Sequence, residues 1–204
     1  MERPAQTRGN SKRCAQDGSR CFRAASALIV ILLACAGGAR GQHAPSEYQV
    51  KAAFLFNFGK FVEWPQSSFA SPQAPFWVCV LGEDPFGSSL DDTLRAKAID
   101  GHPVSVTRIK GATSARGCQI VFVSASEKAR LPAILGSLRG WNALVVGESE
   151  GFAAAGGGIQ FLLEENRVRF AINPDAIRRA GLQASSRLLA LAKIVHDDPR
   201  TGKN

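Results

Sequence analysis

The chain has 204 residues, 45% of them hydrophobic and 21% charged, with 20 Gly and 10 Pro. That composition excludes a disordered, collagen-like or coiled-coil chain and fits one globular domain with an N-terminal extension. The formal charge of +8 would suit a nucleic acid or an anionic membrane, but half of it lies in residues 1–36, where Arg3, Arg8, Lys12, Arg13, Arg20 and Arg23 outweigh Glu2 and Asp17. The rest is spread thinly, and no nucleic-acid partner is expected.

Those first residues have the three parts of a secretory signal: a basic stretch ending at Arg23, an apolar run from Ala24 to Ala36, and the small-residue site Ala34-Cys35-Ala36. As a helix the run would reach about 20 Å against a hydrocarbon core of about 30 Å, too short for a permanent span. The sequence therefore predicts a signal peptide over 1–36, cleaved after Ala36, and a single exported domain over 37–204. Leu32-Leu33-Ala34-Cys35 also fits a loose bacterial lipoprotein box, in which Cys35 would become the lipidated first residue.

Export leaves Cys79 and Cys118 in the folded domain. An even pair in an oxidising compartment points to a disulfide, with two buried, inert thiols as the alternative. Both lie at strand-like segments, Phe76–Leu81 and Cys118–Val123. If these are parallel neighbours the Cα atoms would stand about 4.8 Å apart, and closure would stabilise by roughly 4 kcal/mol in the chain-entropy picture.

Along the mature chain, Pro45 and Ser46 start a helix with apolar positions Val50, Ala53, Phe54, Phe58, Phe61 and Val62, ending at Trp64-Pro65. A Pro/Ser/Gln-rich connector leads to the strand Phe76–Leu81, a turn at 82–87 and a helix over 88–97. Then come the strand Val104–Ile109, the strand near Cys118, a helix from about Ser126 to Arg139, and the strand Ala143–Val146. Ile159–Leu163 and Val168–Ile172 form a hairpin around Glu164-Glu-Asn-Arg167, and Asn173-Pro174 opens a last helix to about Val195. The expected fold is α/β: a three-layer sandwich with a mostly parallel mixed sheet of about six strands, flanking helices and a C-terminal β-hairpin.

Gly147-Glu-Ser-Glu-Gly151 matches the nucleophile-elbow pattern G-x-S-x-G after a strand, and Asp175 and His196 follow in hydrolase order. Against catalysis, Ser149 lies between two carboxylates whose field opposes an alkoxide and its oxyanion. A turn capping a short helix is the simpler reading. Gly156-Gly-Gly158 precedes a strand, so it offers no helix N-terminus to a phosphate, and no cofactor is expected. His43, His102 and His196 are scattered, and no metal site is expected. Glu83, Asp84, Asp91 and Asp92 could converge on a cation, but a turn followed by an acidic first helical turn explains them. Arg167, Arg169, Arg178 and Arg179 cluster at the hairpin and last helix, with Arg167 and Arg169 on one strand face.

Tyr48-Gln-Val-Lys-Ala-Ala-Phe-Leu-Phe-Asn-Phe-Gly-Lys-Phe-Val-Glu-Trp-Pro65 resembles the opening of the YfiR-like family. Val78–Gly82, Cys118–Ser124, Gly157–Phe161, Val168–Asn173 and Leu188–Lys193 are similar too. The resemblance implies a periplasmic, dimeric, non-enzymatic α/β protein that represses a membrane-bound diguanylate cyclase, or a related sensor kinase, through its periplasmic region. Release by an outer-membrane lipoprotein or by redox stress would raise cyclic di-GMP and favour biofilm. Closely studied members carry two disulfides; Cys79 and Cys118 would form one, but residues 153–160, where the second would fall, contain no cysteine. A periplasmic small-ligand-binding module is the alternative, and an esterase-like hydrolase the third. Partner contacts are expected at Arg167, Arg169 and Arg178 and at Glu148 and Glu150, as loop charge without obvious local pairing.

Overall fold

The computed structural model describes residues 45–198; the signal peptide, the Cys35 lipidation alternative and residues 37–44 lie outside them. The first helix, α1 (Glu47–Phe61), begins with a capping box. The Gln49 N–H donates to Ser46 Oγ at 3.3 Å, and the Ser46 N–H donates back to Gln49 Oε1 at 2.8 Å. It stops short of Trp64, because Val62–Glu63 turns extended as β1 and pairs with β9 (Gln183–Ala184) in a separate two-stranded sheet.

The strands β2 (Phe76–Leu81), β4 (His102–Ile109), β5 (Ile120–Val123), β6 (Leu144–Gly147), β7 (Ile159–Glu164) and β8 (Arg167–Ile172) are the six expected. Two short edges extend them, β3 (Ala98–Ile99) and β10 (Lys193–Ile194), giving the order β10-β8-β7-β6-β5-β2-β4-β3. From β7 across to β4 every pairing is parallel, whereas β7–β8 and β3–β4 are antiparallel. The β3–β4 hairpin turns at Asp100-Gly101, both at positive φ, which is the Asp-Gly signature of a tight two-residue turn.

Side chains alternate across the sheet. Val78, Val80, Phe122, Val146 and Phe161 join Leu55 and Phe58 of α1, Leu90 and Leu94 of α2 (Ser88–Leu94) and other apolar groups in one core. Cys79, Leu81, Val121 and Val123 face Leu131, Ile134 and Leu135 of α3 (Leu131–Ser137) in the other. Two helical layers thus enclose a mostly parallel sheet, the expected architecture. The segment before α3, residues 125–130, is wound as a tighter 3₁₀ helix.

The long last helix expected from Pro174 to Val195 does not form. Instead α4 (Pro174–Arg179) ends at Gly181, with φ +73, where the Gly181 N–H reaches the Arg178 carbonyl and the Leu182 N–H the Ile177 carbonyl. This is a Schellman closure, and its accompanying apolar pair is Leu182 with Ile177, both buried in the same core. The chain then forms β9, a short α5 (Ser186–Ala190) capped by Ser185, and the edge strand β10. No helix among the described residues is long and apolar enough to cross a membrane.

Candidate functional site

The sheet reverses its winding direction between β2 and β5. From β2 the chain crosses by α2 to β4, then returns to the other side of β2 to lay down β5 and β6. Open α/β sheets leave a crevice at the carboxyl ends of strands flanking such a switch. Here the bordering loops are tied to each other and to α1. The Glu83 N–H donates to Ser126 Oγ at 3.0 Å, and buried Glu127 pairs with Arg130 at 2.5 Å.

Lys51, one helical turn into α1, is 6% exposed at its side chain. Its Nζ lies 2.6 Å from Glu148 Oε2 and 2.5 Å from Glu47 Oε1. Glu148 follows β6 directly and also receives the Tyr48 hydroxyl at 3.3 Å and the Ala125 N–H at 3.4 Å. The Tyr48 ring lies edge-on to Phe86, centroids 5.4 Å apart, with the ammonium 4.5 Å from its centre. Burial works against the Lys51 charge, but the hydrogen bonds to Glu148 and Glu47 outweigh it, so the pKa moves up. Burial and the Glu148 charge push the Tyr48 phenol up as well. A lysine held charged is a poor nucleophile or base; this constellation fastens α1 to the loops after β5 and β6.

Glu148 is therefore not the surface contact that its position after a strand suggested. Its charge is consumed by Lys51, which sequence reasoning passed over as one polar residue in an aromatic helix. Glu150 is exposed. Arg167 and Arg169 are exposed on one face of β8, opposite Val168 and Phe170, and neither has an ion pair among the described residues. Arg178, expected to be unspent, is bound to Asp175 one turn back in α4. Asp175 also accepts from His196 Nδ1 at 2.8 Å, and that hydrogen bond, helped by Arg178, lowers its pKa. Arg179 pairs with Asp197 at 2.6 Å.

Asp175 and His196 thus do meet, as a hydrolase would require, but no hydrogen bond joins either to Ser149, which is buried. The first glycine of the apparent elbow has another cause, which it shares with Gly157 outside the pattern. A Cβ on Gly147 would sit 2.3 Å from the Phe152 ring, and one on Gly157 2.1 Å from its other edge. Phe152, 0% exposed, fills the space that only glycine leaves. Two of the four acids around α2 make an interaction not foreseen, Asp84 and Asp91 clamping Arg108 of β4, while Asp92 pairs with Arg95. The Arg108 Nε lies 2.9 Å from Asp84, and its Nη1 and Nη2 lie 2.9 and 2.5 Å from the two Asp91 oxygens. These hydrogen bonds raise the Arg108 pKa still further and lower that of Asp91.

A family model described as DUF4154, YfiR/HmsC-like, matches residues 48–193, from the first turn of α1 to β10. The chain belongs to this family. No curated protein matches it significantly. Among solved structures, an ABC domain from Streptococcus pneumonia in complex with L-Trp is 9% identical at a TM-score of 0.43. The likeness covers 59% of this chain and 55% of that one, and it is too slight to bear on function.

In this YfiR/HmsC-like chain the expected disulfide is present. Cys79 of β2 bonds Cys118 with Cα atoms 6.0 Å apart, wider than directly opposed strands would give. The reason is register: Cys79 stands opposite Val121, and Cys118 precedes β5 in a turn closed by its N–H on the Ala115 carbonyl. The cysteine-free segment 153–160 is held by hydrogen bonds instead. The Ala153 N–H donates to Gln160 Oε1 at 3.2 Å, and Asn173 Nδ2 donates to the Ala153 carbonyl at 2.8 Å.

Proposed function

We propose that the protein is an exported, periplasmic regulator without catalytic activity. It binds and represses a membrane-bound signalling protein, a diguanylate cyclase or a related sensor kinase, and so lowers cyclic di-GMP and biofilm formation. Export follows from a signal peptide over 1–36, and a homodimer and an outer-membrane lipoprotein that relieves repression complete the proposal. The observation that carries the reading is the family match over 48–193, nearly the whole described fold. The surface assigned to the partner is the β7–β8 hairpin. Exposed Arg167 and Arg169 stand on one face and make no ion pair among the described residues, and the planar guanidinium suits acidic groups on another protein.

Arg169→Glu tests it. Thermal melts are expected to shift by no more than about 0.5 kcal/mol, as for other solvent-facing substitutions, while a cellular cyclic di-GMP reporter rises. A stable Arg169→Glu protein that represses like wild type removes the hairpin from the partner surface.

A further inference from the structure

We propose that a second site, on the α3 side of the sheet beside the disulfide, binds a small organic anion with a flat apolar body. It goes beyond the regulatory reading and stands whether or not the protein represses a cyclase. A cavity of about 420 Å³ opens there, within the roughly 300–1,000 Å³ of small-molecule sites. Its walls include the Cys79–Cys118 bridge, Phe69, Trp77, Arg116 and Ser68.

Each wall constrains the ligand. Trp77 is 36% exposed, among the few large apolar side chains left in water, and an aromatic face that opens into a cavity suits another flat ring. Phe69 is stacked on His102, centroids 3.8 Å apart, so it forms a fixed wall.

Charge decides the sign. Among the described residues, no acidic one lines the cavity. Arg116 lies over the Trp141 ring at 5.1 Å and has no carboxylate partner among the described residues. A lone guanidinium beside apolar walls fits a single carboxylate or sulfonate, which it can bind through two N–H groups. The cavity is also preformed. The Gln119 side chain accepts the Trp77 N–H at 2.7 Å and donates to the Ser68 carbonyl, pinning the connector to β2.

The test uses the purified protein and 8-anilinonaphthalene-1-sulfonate, a flat monoanion that fluoresces when enclosed. Saturable binding at one site is expected, displaced by benzoate but not by neutral benzamide. Arg116→Gln, at an exposed position, should weaken binding roughly tenfold without moving the melting temperature, the size expected for loss of a charge-assisted hydrogen bond. Wild-type affinity in Arg116→Gln, equal competition by benzamide, or binding that does not saturate would each overturn the proposal.

Discussion

At the start of α1, Lys51 is 6% exposed and held between two carboxylates; at the hairpin, Arg167 and Arg169 stand in solvent and make no ion pair among the described residues. Both places carry basic side chains, yet their energies differ in kind. An enclosed charge stripped of its partner costs several kcal/mol, while an exposed one costs almost nothing to change. The first is therefore bound by folding and resists substitution, and the second is free to be selected for a partner. The largest test of that contrast is Lys51→Met, which keeps the apolar stem and removes the ammonium. Leaving Glu148 enclosed without its cation should cost about 3 kcal/mol, read from the urea midpoint at unchanged slope. Adding Glu148→Gln should recover about 1 kcal/mol or more of that loss, because coupled neighbours do not add. Strictly additive effects would show that the pair is no unit.

The same enclosed cluster sets the alkaline limb of stability. Lys51 and Tyr48 both have pKa values raised above the usual 10.5 and 10.0. Folded chain thus keeps protons that unfolded chain releases, so their contribution is complete below about pH 10 and is lost as the pH climbs through the folded values. Lys51→Met should flatten that limb. Asp91, Asp175 and Asp197 lie below the usual 3.8, so their contribution holds above that value and fades as pH falls through the lower folded ones. A variant whose alkaline limb stayed as steep as that of the wild type would place the effect outside this cluster.

How far such sites could be read from sequence follows from the range of the interactions. The hairpin was legible because period-two alternation and a polar turn are local signals, and they correctly placed Arg167 and Arg169 on one face. The six main strands were legible for the same reason, whereas β3 and β10, two residues each, are too short to show a period. Lys51 was not legible. α1 carries Phe54, Leu55, Phe56, Phe58 and Phe61, so apolar residues cover most of its circumference, and the partner that defines its buried face lies 97 residues away. Arg178 failed in the opposite direction, since Asp175 three residues earlier was in plain view as an i, i+3 partner. The G-x-S-x-G pattern misled because its first glycine serves a packing neighbour, Phe152, that the pattern does not include.

Arg108 lies between the two extremes and gives the smallest effect that still discriminates them. Its guanidinium is 35% exposed and bridges Asp84 and Asp91 at once, tying the turn after β2 and the first turn of α2 to β4. Water screens the pair, so removal leaves no enclosed charge, yet the bidentate geometry and two acceptors exceed an ordinary surface contact. Arg108→Ala should therefore cost about 1 kcal/mol. Arg108→Lys should recover less than half of it, because one ammonium cannot reproduce a planar fork spanning two carboxylates. A loss comparable to that of Lys51→Met would mean that partial exposure gives this clamp no relief, and no measurable loss would put Arg108 with the hairpin arginines. An intermediate value would show burial and partner number together setting what each cation contributes.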